Sequence, residues 1–297
     1  MTSNTQISKT NPNYDMITYN DILNCKNLTD IQISNEYNKL QKLNYEENSR
    51  SFCGNKIIYN YVFENMLNTK RNVKNYLILK EIFENQELKE KWINQTIKMN
   101  RRKKLTYIEP VDIYECYRRC KGSVNTFKAG SVKYLINKFN ATKMLDFTAG
   151  WGGRLLGARS MNIDYIGIDT NINLKPSYDK MTNRFGGKMI WDSCLNVDFS
   201  KLDYDFVLTS PPYINLEQYE NMEQFENNEC FYVKFLIPMI EKSLKYIKNN
   251  GSVCINISNY MYDDYIKFGG KPCIDKIDLL QQLGGKPNKE IIYVFKN

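Results

Sequence analysis

Histidine is absent from this chain of 297 residues. Its absence excludes a Ser-His-Asp triad, a histidine general base and the commonest protein ligand of transition metals. The chain has eight cysteines, but none stands in a Cys-x2-Cys pair. Cys116 and Cys120 stand four residues apart, which suits one face of a helix better than a zinc site. We therefore expect no metal centre, and a chemistry that works without an imidazole.

Long apolar runs are also missing from the sequence. No stretch of about 18 apolar residues could cross a membrane, and the first residues do not form a secretory signal. The cysteines are scattered, which is typical of reduced thiols in an intracellular protein. The sequence therefore predicts an intracellular protein that does not associate with a membrane.

Positive charge is present and unevenly distributed. The net charge is +8, and residues 1–126 carry 20 Lys and Arg against 14 Asp and Glu, a net of +6. A basic excess in one part of a chain fits a polyanionic partner such as nucleic acid, and it fits ordinary solubility charge equally well.

Two basic clusters in this part are candidate phosphate contacts. The residues are Arg101, Arg102, Lys103, Lys104, Arg118 and Arg119. The alternative for the first cluster is a helix C-terminus, where the helix dipole favours cations. We interpret the clusters as nucleic-acid contacts.

The first part of the chain carries helical rather than strand patterns. Residues 1–15 are polar and rich in Asn, Thr and Ser, which is typical of a flexible arm. Apolar residues recur at helical spacing in three stretches, 21–43, 61–67 and 76–93. We therefore expect a mainly helical region over residues 16–126.

From residue 127 onward, short apolar strand patterns alternate with helical patterns. Strands are predicted from Lys143 and at 165–169, 188–191, 206–208, 252–257 and 291–295, and helices at 132–139, 175–185, 231–247 and 274–283. This alternation predicts an α/β domain over 127–297, a three-layer sandwich around a mostly parallel sheet. Ligands are expected at the carboxyl ends of its strands.

Residues suited to a ligand follow three of these strands. Gly150 and Gly152 follow the first one, and such a turn lets the backbone approach a ligand closely. It is not the dinucleotide fingerprint, because Leu155 stands at the third glycine position. Asp169 could accept two hydrogen bonds from ribose hydroxyls, or cap the next helix. Asp192 could receive a base amino group, or form an Asx turn.

The fourth strand runs into a stiff corner, Thr209-Ser210-Pro211-Pro212-Tyr213. The two prolines cannot donate to a sheet ladder, so the strand ends there. Ser210 supplies a hydroxyl beside fixed backbone carbonyls, and Tyr213 supplies an aromatic face. Taken alone, the corner is equally typical of a simple strand-ending turn.

Taken in order, these motifs resemble the S-adenosylmethionine-dependent DNA amino-methyltransferases, which methylate N4 of cytosine or N6 of adenine. The resemblance covers residues 127–297 and includes the Ser-Pro-Pro-Tyr motif of residues 210–213. The run Gly150 to Arg154 also resembles solitary methylases of phages and large DNA viruses. The resemblance implies a Rossmann-like class I methyltransferase fold, closed by a hairpin of two strands, of which only 291–295 is evident.

The resemblance also implies roles for individual residues. The cofactor would be S-adenosylmethionine, and the partner would be DNA or RNA. Phe127 would lie against the cofactor, and Asp146, Gly150 and Gly152 would line its methionine end. Asp169 would hold its ribose, and Asp192 would bind its adenine amino group. Ser210 and the Pro211 carbonyl would accept hydrogen bonds from the target amine, Pro212 would keep the corner rigid, and Tyr213 would stack on the base.

Ser at position 210 is more usual in the cytosine-N4 group, so N4 of cytosine is the preferred target. N6 of adenine, an RNA base and a protein amide stay open as alternatives. A nucleic-acid-binding protein with a decayed methyltransferase sheet and a nicotinamide oxidoreductase are the competing classes. Target recognition is expected from residues 1–126 or 214–230, and the sequence leaves open a restriction-modification role with a nuclease partner.

Overall fold

The computed structural model describes residues 16–44, 51–71, 76–102, 108–122, 124–212, 217–218, 224–248, 250–283 and 286–296. Seven strands within these ranges form one mixed sheet. They are β1 (Lys143–Asp146), β2 (Asp164–Asp169), β3 (Lys188–Trp191), β4 (Phe206–Thr209), β5 (Ser252–Asn256), β6 (Asp275–Leu283) and β7 (Lys286–Phe295). The predicted arm, residues 1–15, lies outside the described residues.

The strand order across the sheet is β3, β2, β1, β4, β5, β7, β6. The first five strands pair in parallel, whereas β7 runs antiparallel to both β5 and β6. All residues of β4 and β5 are buried, as expected for strands covered by helices on both faces. The chain order reverses between β1 and β4, and this reversal is the position where open α/β sheets bind ligands.

The sheet lies between two layers of helices. On one face lie α7 (Ala129–Phe139), α8 (Gly153–Ser160) and α9 (Lys175–Phe185), and the ring of Phe139 stacks on Phe206 of β4 with centroids 5.6 Å apart. On the other face lie α11 (Ile237–Tyr246) and α12 (Asn259–Lys267). The core on this second face includes Leu145, Ile168, Val207, Val253, Ile255, Met239, Ile240 and Tyr265. The predicted Rossmann-like three-layer fold is thereby confirmed.

The predicted helix over 274–283 was wrong, because this segment is strand β6. Its residues alternate in exposure: Ile277 and Leu279 are buried, whereas Lys276 and Asp278 are exposed. Ile277 lies opposite Ile292 of the antiparallel strand β7. A period of two residues places one side of a strand in the core, and the neighbouring strand supplies the hydrogen bonds. The pair β6 and β7 is the closing hairpin that the family resemblance implies.

The helices before residue 127 are α1 (Tyr19–Asn24), α2 (Asp30–Lys42), α3 (Asn55–Asn68), α4 (Leu79–Glu84), α5 (Gln86–Arg102) and α6 (Pro110–Lys121). The single helix predicted over 76–93 was wrong, since α4 and α5 separate at Asn85. The backbone of Asn85 is extended, and its side chain accepts a hydrogen bond from the Leu88 N–H at 3.0 Å. An asparagine that caps the following helix in this way interrupts a continuous apolar pattern.

The predicted helix over 231–247 consists of a short helix, α10 (Asn228–Phe231), a π-helical turn (Tyr232–Leu236) and α11. Two-residue strands occur at Lys70–Arg71 and at Glu217–Gln218, and short 3₁₀ turns at Ile172–Leu174 and Phe199–Lys201. Within the ranges that the structure describes, no helix has the length and apolar character needed to span a bilayer.

The chain divides into two units by its internal contacts. One unit comprises Met1–Asn27 and Phe63–Val124, and the other comprises Leu28–Val62 and Asn125–Asn297. Residues 28–62 are tied to the sheet unit by hydrogen bonds, including one of 2.6 Å from Arg184 to Asp30 and one of 2.6 Å from Lys133 to the Leu40 carbonyl. The functional division at residue 126 stays a prediction.

Candidate active site

The turn between β1 and α8 depends on two glycines with positive φ, +59° at Gly150 and +84° at Gly152. A Cβ at Gly152 would lie 2.7 Å from the Met181 methyl group, so no larger residue fits there without movement. At Gly150, which is half-buried, the nearest atoms would be at ordinary contact distance from such a Cβ, 3.7 Å for Arg154 and 3.8 Å for the Thr148 carbonyl. The Tyr178 hydroxyl donates to the carbonyls of Ala149 and Gly150, both at 3.0 Å, and supports the turn from below.

Asp169, the last residue of β2, is bound to this glycine turn. One carboxylate oxygen accepts the Gly150 N–H at 2.7 Å, and the other accepts the Asn171 N–H at 2.9 Å. The side chain is half-buried. Burial raises the pKa of Asp169 above its usual value, although the two backbone hydrogen bonds oppose that change. Each oxygen keeps a lone pair, so the carboxylate could accept two further hydrogen bonds from a diol.

Asp146, the last residue of β1, lies beneath the turn and is fully buried. One of its oxygens accepts hydrogen bonds from Arg154 Nε at 2.7 Å and from the Tyr165 hydroxyl at 2.9 Å. The other accepts the Thr209 hydroxyl at 2.9 Å. The carboxylate is thus surrounded by internal donors, and Asp146 affects the surface of the site through the groups it holds.

Arg154, which forms a buried ion pair with Asp146, also contacts residues on the predicted cofactor side of the site. Its guanidinium also donates to the Thr148 carbonyl and lies 5.6 Å from the centre of the Phe127 ring. Phe127 is half-buried just before α7. Sequence reasoning missed Arg154 as part of the site. The signal available was a basic residue directly after two glycines, in the first turn of a helix whose other residues, apart from Arg159, are small or apolar.

Two threonines join the ends of β1 and β4. The hydroxyls of Thr148 and Thr209 are 2.5 Å apart, and Thr148 also lies 3.1 Å from the Ser210 carbonyl, to which it can donate. The glycine turn and the proline corner are therefore held together at neighbouring strand ends. Neither threonine was assigned a role from the sequence.

The Ser210 hydroxyl is oriented by Asn256, the last residue of β5. It donates toward the backbone and side-chain oxygens of Asn256, each at 3.3 Å. Asn256 is 3% exposed, and its amide donates to the Ile291 carbonyl at 3.1 Å. Because the hydroxyl hydrogen points toward Asn256, the lone pairs of the Ser210 oxygen are left to accept. Asn256 was missed from the sequence, although a polar residue ending an apolar strand is a usable signal.

The next two residues of the corner, Pro211 and Pro212, belong to the described part of the chain. Pro211 is buried and Pro212 is half-buried, as expected for a rigid turn at the end of a strand. Tyr213 lies outside the described residues, so its stacking role stays a prediction.

Asp192 follows β3 and is exposed. Its Oδ1 accepts the Ser193 N–H at 2.7 Å and the Asn196 side-chain amide at 2.9 Å, so this oxygen is engaged in local hydrogen bonds. Trp191, just before it, packs edge-on against Tyr178 with ring centroids 5.6 Å apart. A contact between Asp192 and a base amino group stays a prediction.

The predicted phosphate contacts belong to the other unit. Arg118 is half-buried and pairs with Glu115 at 2.7 Å within α6, whereas Arg119 is exposed. Arg101 and Arg102 are the last residues of α5, and Lys103 and Lys104 lie outside the described residues. Nucleic-acid binding by these residues stays a prediction.

No protein-family model matches this chain, and no curated protein matches it in sequence. Solved structures do match. TrmN from Thermus thermophilus shares 11% identity and a TM-score of 0.44, over 64% of this chain and 68% of that one. A precorrin-6y C5,15-methyltransferase from Geobacter metallireducens shares 12% identity and a TM-score of 0.38, over 56% and 87% of the two chains.

An RNA methyltransferase from Salinibacter ruber, solved with S-adenosyl-L-homocysteine, shares 13% identity and a TM-score of 0.38, over 58% of this chain and 93% of that one. At these identities and TM-scores the similarities carry no information about the activity or the substrate of this chain.

Proposed function

We propose that this protein transfers the methyl group of S-adenosylmethionine to an exocyclic amino group of a DNA base, at N4 of cytosine. One observation carries the proposal: the glycine turn, the Asp169 carboxylate and the Ser210-Pro211 corner meet at the ends of adjacent strands, where the chain order of the sheet reverses. An apolar sheet with this topology commonly binds a nucleoside-containing ligand at that position.

The residues present fit the proposed cofactor. Gly150 is half-buried with positive φ and would let a ligand lie against the backbone, and Asp169 has carboxylate lone pairs for the two ribose hydroxyls. Phe127 offers a half-buried ring beside the turn, and Asp192 would hold the adenine amino group. When bound, the cofactor supplies an electrophilic methyl group on a sulfonium, and its transfer forms an N–CH₃ bond, breaks the S–CH₃ bond and releases one amine proton to water.

The proline corner would hold the amine. A ring amine is a weak nucleophile because its lone pair is delocalised into the base. The Ser210 oxygen, whose hydrogen points to Asn256, would accept one amine hydrogen, and the Pro211 carbonyl would accept the other. This keeps the nitrogen lone pair directed at the methyl group, and such positioning supplies several kcal/mol of barrier reduction. A base in a duplex must first leave the stack, at roughly a few kcal/mol.

The choice of DNA and of cytosine rests on the sequence. Serine at position 210 favours N4 of cytosine through the family resemblance, and the basic excess of residues 1–126 favours a nucleic acid over a protein amide.

The test is incubation of the full chain with S-adenosylmethionine labelled on the methyl group, together with duplex DNA, single-stranded DNA or RNA. Mass spectrometry of the nucleosides should find labelled N4-methylcytosine from DNA. Labelled N6-methyladenine would show that the target amine is that of adenine. Label found only in RNA would show that the substrate is RNA rather than DNA. A chain that labels none of the three would overturn the proposal.

Ser210→Ala should reduce transfer about 100-fold, which is typical of a misplaced reacting group, with unchanged affinity for S-adenosylhomocysteine. The matched control is Ser200→Ala, at an exposed serine away from the site, which should keep full activity.

A further inference from the structure

Three helices begin close together at the carboxyl edge of the sheet. Helices α7 and α8 both start there, because each packs against parallel strands that run the opposite way. A Cβ added at Gly153, the first residue of α8, would lie 2.0 Å from the Phe127 carbonyl oxygen and 3.5 Å from Ile58 of α3. One added at Gly54, just before α3, would lie 3.6 Å from Ala129, the first residue of α7. The first turn of α3 therefore packs against the first turns of α7 and α8.

Asn55, in that first turn of α3, carries an unusual group. The residue is 9% exposed, and its side-chain oxygen is buried without a hydrogen-bond partner in the described part of the chain. Asn55 stands three residues before Ile58, so both lie on the helix face that meets Gly153. Buried amide oxygens are nearly always paired, so the Asn55 oxygen is a candidate acceptor for a donor that the described residues do not supply.

A second oxygen of this kind lies on the same edge of the sheet. The side-chain oxygen of Asn171 is also buried without a partner in the described ranges, and the Asn171 N–H binds Asp169. Two unpaired amide oxygens therefore lie at the sheet edge that holds the glycine turn. That of Asn171 lies beside Asp169, and that of Asn55 lies beside the start of α8. A ligand with donors at two separated positions would satisfy both.

The helix starts around Asn55 carry positive charge, although the Glu36 carboxylate already accepts the Gly54 N–H at 3.0 Å, just before α3. The N-termini of three helices, of 14, 11 and 8 residues, meet there, and each carries a partial positive charge. The buried Lys128 lies next to Phe127, with its ammonium 4.6 Å from the centre of the Phe52 ring. A carboxylate is favoured in such surroundings, whereas an ammonium group needs a specific acceptor. An amino acid carries both groups on one carbon.

We propose that Asn55 binds the amino-acid end of the cofactor, with its side-chain oxygen accepting a hydrogen bond from the α-ammonium group while the α-carboxylate faces the starts of α7 and α8. This inference rests on the proposed function. It assigns a ligand contact to residues 52–58, a segment that sequence analysis placed with target recognition.

Calorimetry with two ligands tests this contact. S-adenosylhomocysteine contains the amino-acid end, whereas 5′-methylthioadenosine has the same nucleoside and sulfur without it. Asn55→Ala should bind S-adenosylhomocysteine at least about 10-fold more weakly, the usual effect of losing a hydrogen bond to a charged group, and bind 5′-methylthioadenosine as the wild type does. Asn55→Asp should keep or tighten S-adenosylhomocysteine binding, because a carboxylate is a stronger acceptor for an ammonium. Asn183→Ala, at an exposed position in α9, is the matched control.

Equal weakening of both ligands in Asn55→Ala would overturn the contact, as would unchanged binding of S-adenosylhomocysteine. Thermal unfolding without ligand identifies a folding defect, which should be absent because no protein hydrogen bond from the described residues is lost. A wild-type chain that binds neither ligand would overturn the proposed function itself. A wild-type chain that binds both equally well would overturn only the role of the amino-acid end.

Discussion

The ends of β1 and β2 carry the same residue type at equivalent positions of the sheet edge, yet their environments differ. Asp146 at the end of β1 is fully buried and receives hydrogen bonds from three side chains, one of them an arginine. Asp169 at the end of β2 is half-buried and receives two backbone N–H groups. The first carboxylate is engaged within the protein, and the second keeps capacity for a ligand.

The difference shows that the two carboxylates have separate tasks at the carboxyl edge of the sheet: one stabilises the protein, and the other keeps acceptor capacity for a ligand. The buried ion pair of Asp146 and Arg154 connects β1, the start of α8 and, through Thr209, the end of β4. It holds the turn on which Asp169 depends. A carboxylate that recognises a ligand must keep lone pairs exposed, and so it requires support from a neighbour that does not. Four variants would break or sharpen this comparison.

Breaking the buried Asp146–Arg154 ion pair should have the largest effect, on the free energy of unfolding. Arg154→Ala leaves the Asp146 carboxylate buried without its cation, and such changes destabilise proteins by about 3–5 kcal/mol. Urea unfolding followed by circular dichroism would measure this loss as a lower midpoint.

The double variant Asp146→Asn, Arg154→Met removes both charges and should recover a large part of the lost stability, since neutral replacements of buried pairs are often tolerated. A single variant as stable as the wild type would contradict the supporting role of the pair.

Removing the Asp169 carboxylate should reduce ligand affinity more than it reduces the stability of the fold. Asp169→Asn loses charged acceptors for the ribose hydroxyls, and at about 1.5–3 kcal/mol per hydrogen bond to a charged group its affinity for S-adenosylhomocysteine should fall roughly 10- to 150-fold at neutral pH. Calorimetry at neutral pH measures this change, and an unchanged affinity would refute the ribose contact.

The same residue predicts a pH dependence. Burial raises the pKa of Asp169, so wild-type affinity should decline as the pH falls through that raised pKa, earlier than for an ordinary carboxyl group. Because the folded-state pKa lies above the unfolded value, the contribution of Asp169 to stability has the opposite sign: it is present at low pH and lost as the pH rises through the folded pKa. The affinity of Asp169→Asn should lack this decline, and a decline of the same size in both proteins would assign it to another group.

The smallest effect is expected at the end of β3. Asp192 is exposed, and its Oδ1 already accepts two local hydrogen bonds. Asp192→Ala should weaken the binding of S-adenosylhomocysteine by less than about tenfold, which corresponds to the loss of one hydrogen bond of about 0.5–1.5 kcal/mol. A calorimetric loss as large as that of Asp169→Asn would mean that recognition is spread over both strand ends.

Local pattern was sufficient for elements that stand between clear turn residues. The strand at 188–191 and the helix at 175–185 were predicted with the bounds that the structure has, because the strand runs into Asp192 and Ser193, and the helix stops at Gly186 and Gly187 with Tyr178, Met181 and Phe185 at helical spacing. The same reasoning failed for β6, whose apolar residues fit a helix and a strand about equally until β7 lies beside them.

Sequence reasoning placed Asp169 and Ser210 at the ends of strands, where the structure has them, and their ligand contacts stay predictions. It missed Arg154 and Asn256, because what these side chains do depends on the residues they meet across the fold. No local pattern shows that Asp30 meets Arg184 or that Ile58 of α3 lies against Gly153, so these contacts too could be found only in the structure.

The sequence by itself determined the alternation of strands and helices, the glycine turn and the position of each polar residue at the end of a strand. These follow from side-chain periodicity and backbone geometry, which act over a few residues. Only the tertiary structure decided which carboxylate is buried as support, which one keeps lone pairs, and which distant asparagine is buried near the start of α8. Burial and pairing are properties of neighbours in space, so Asp146 and Asp169 could be told apart only after the strands were assembled.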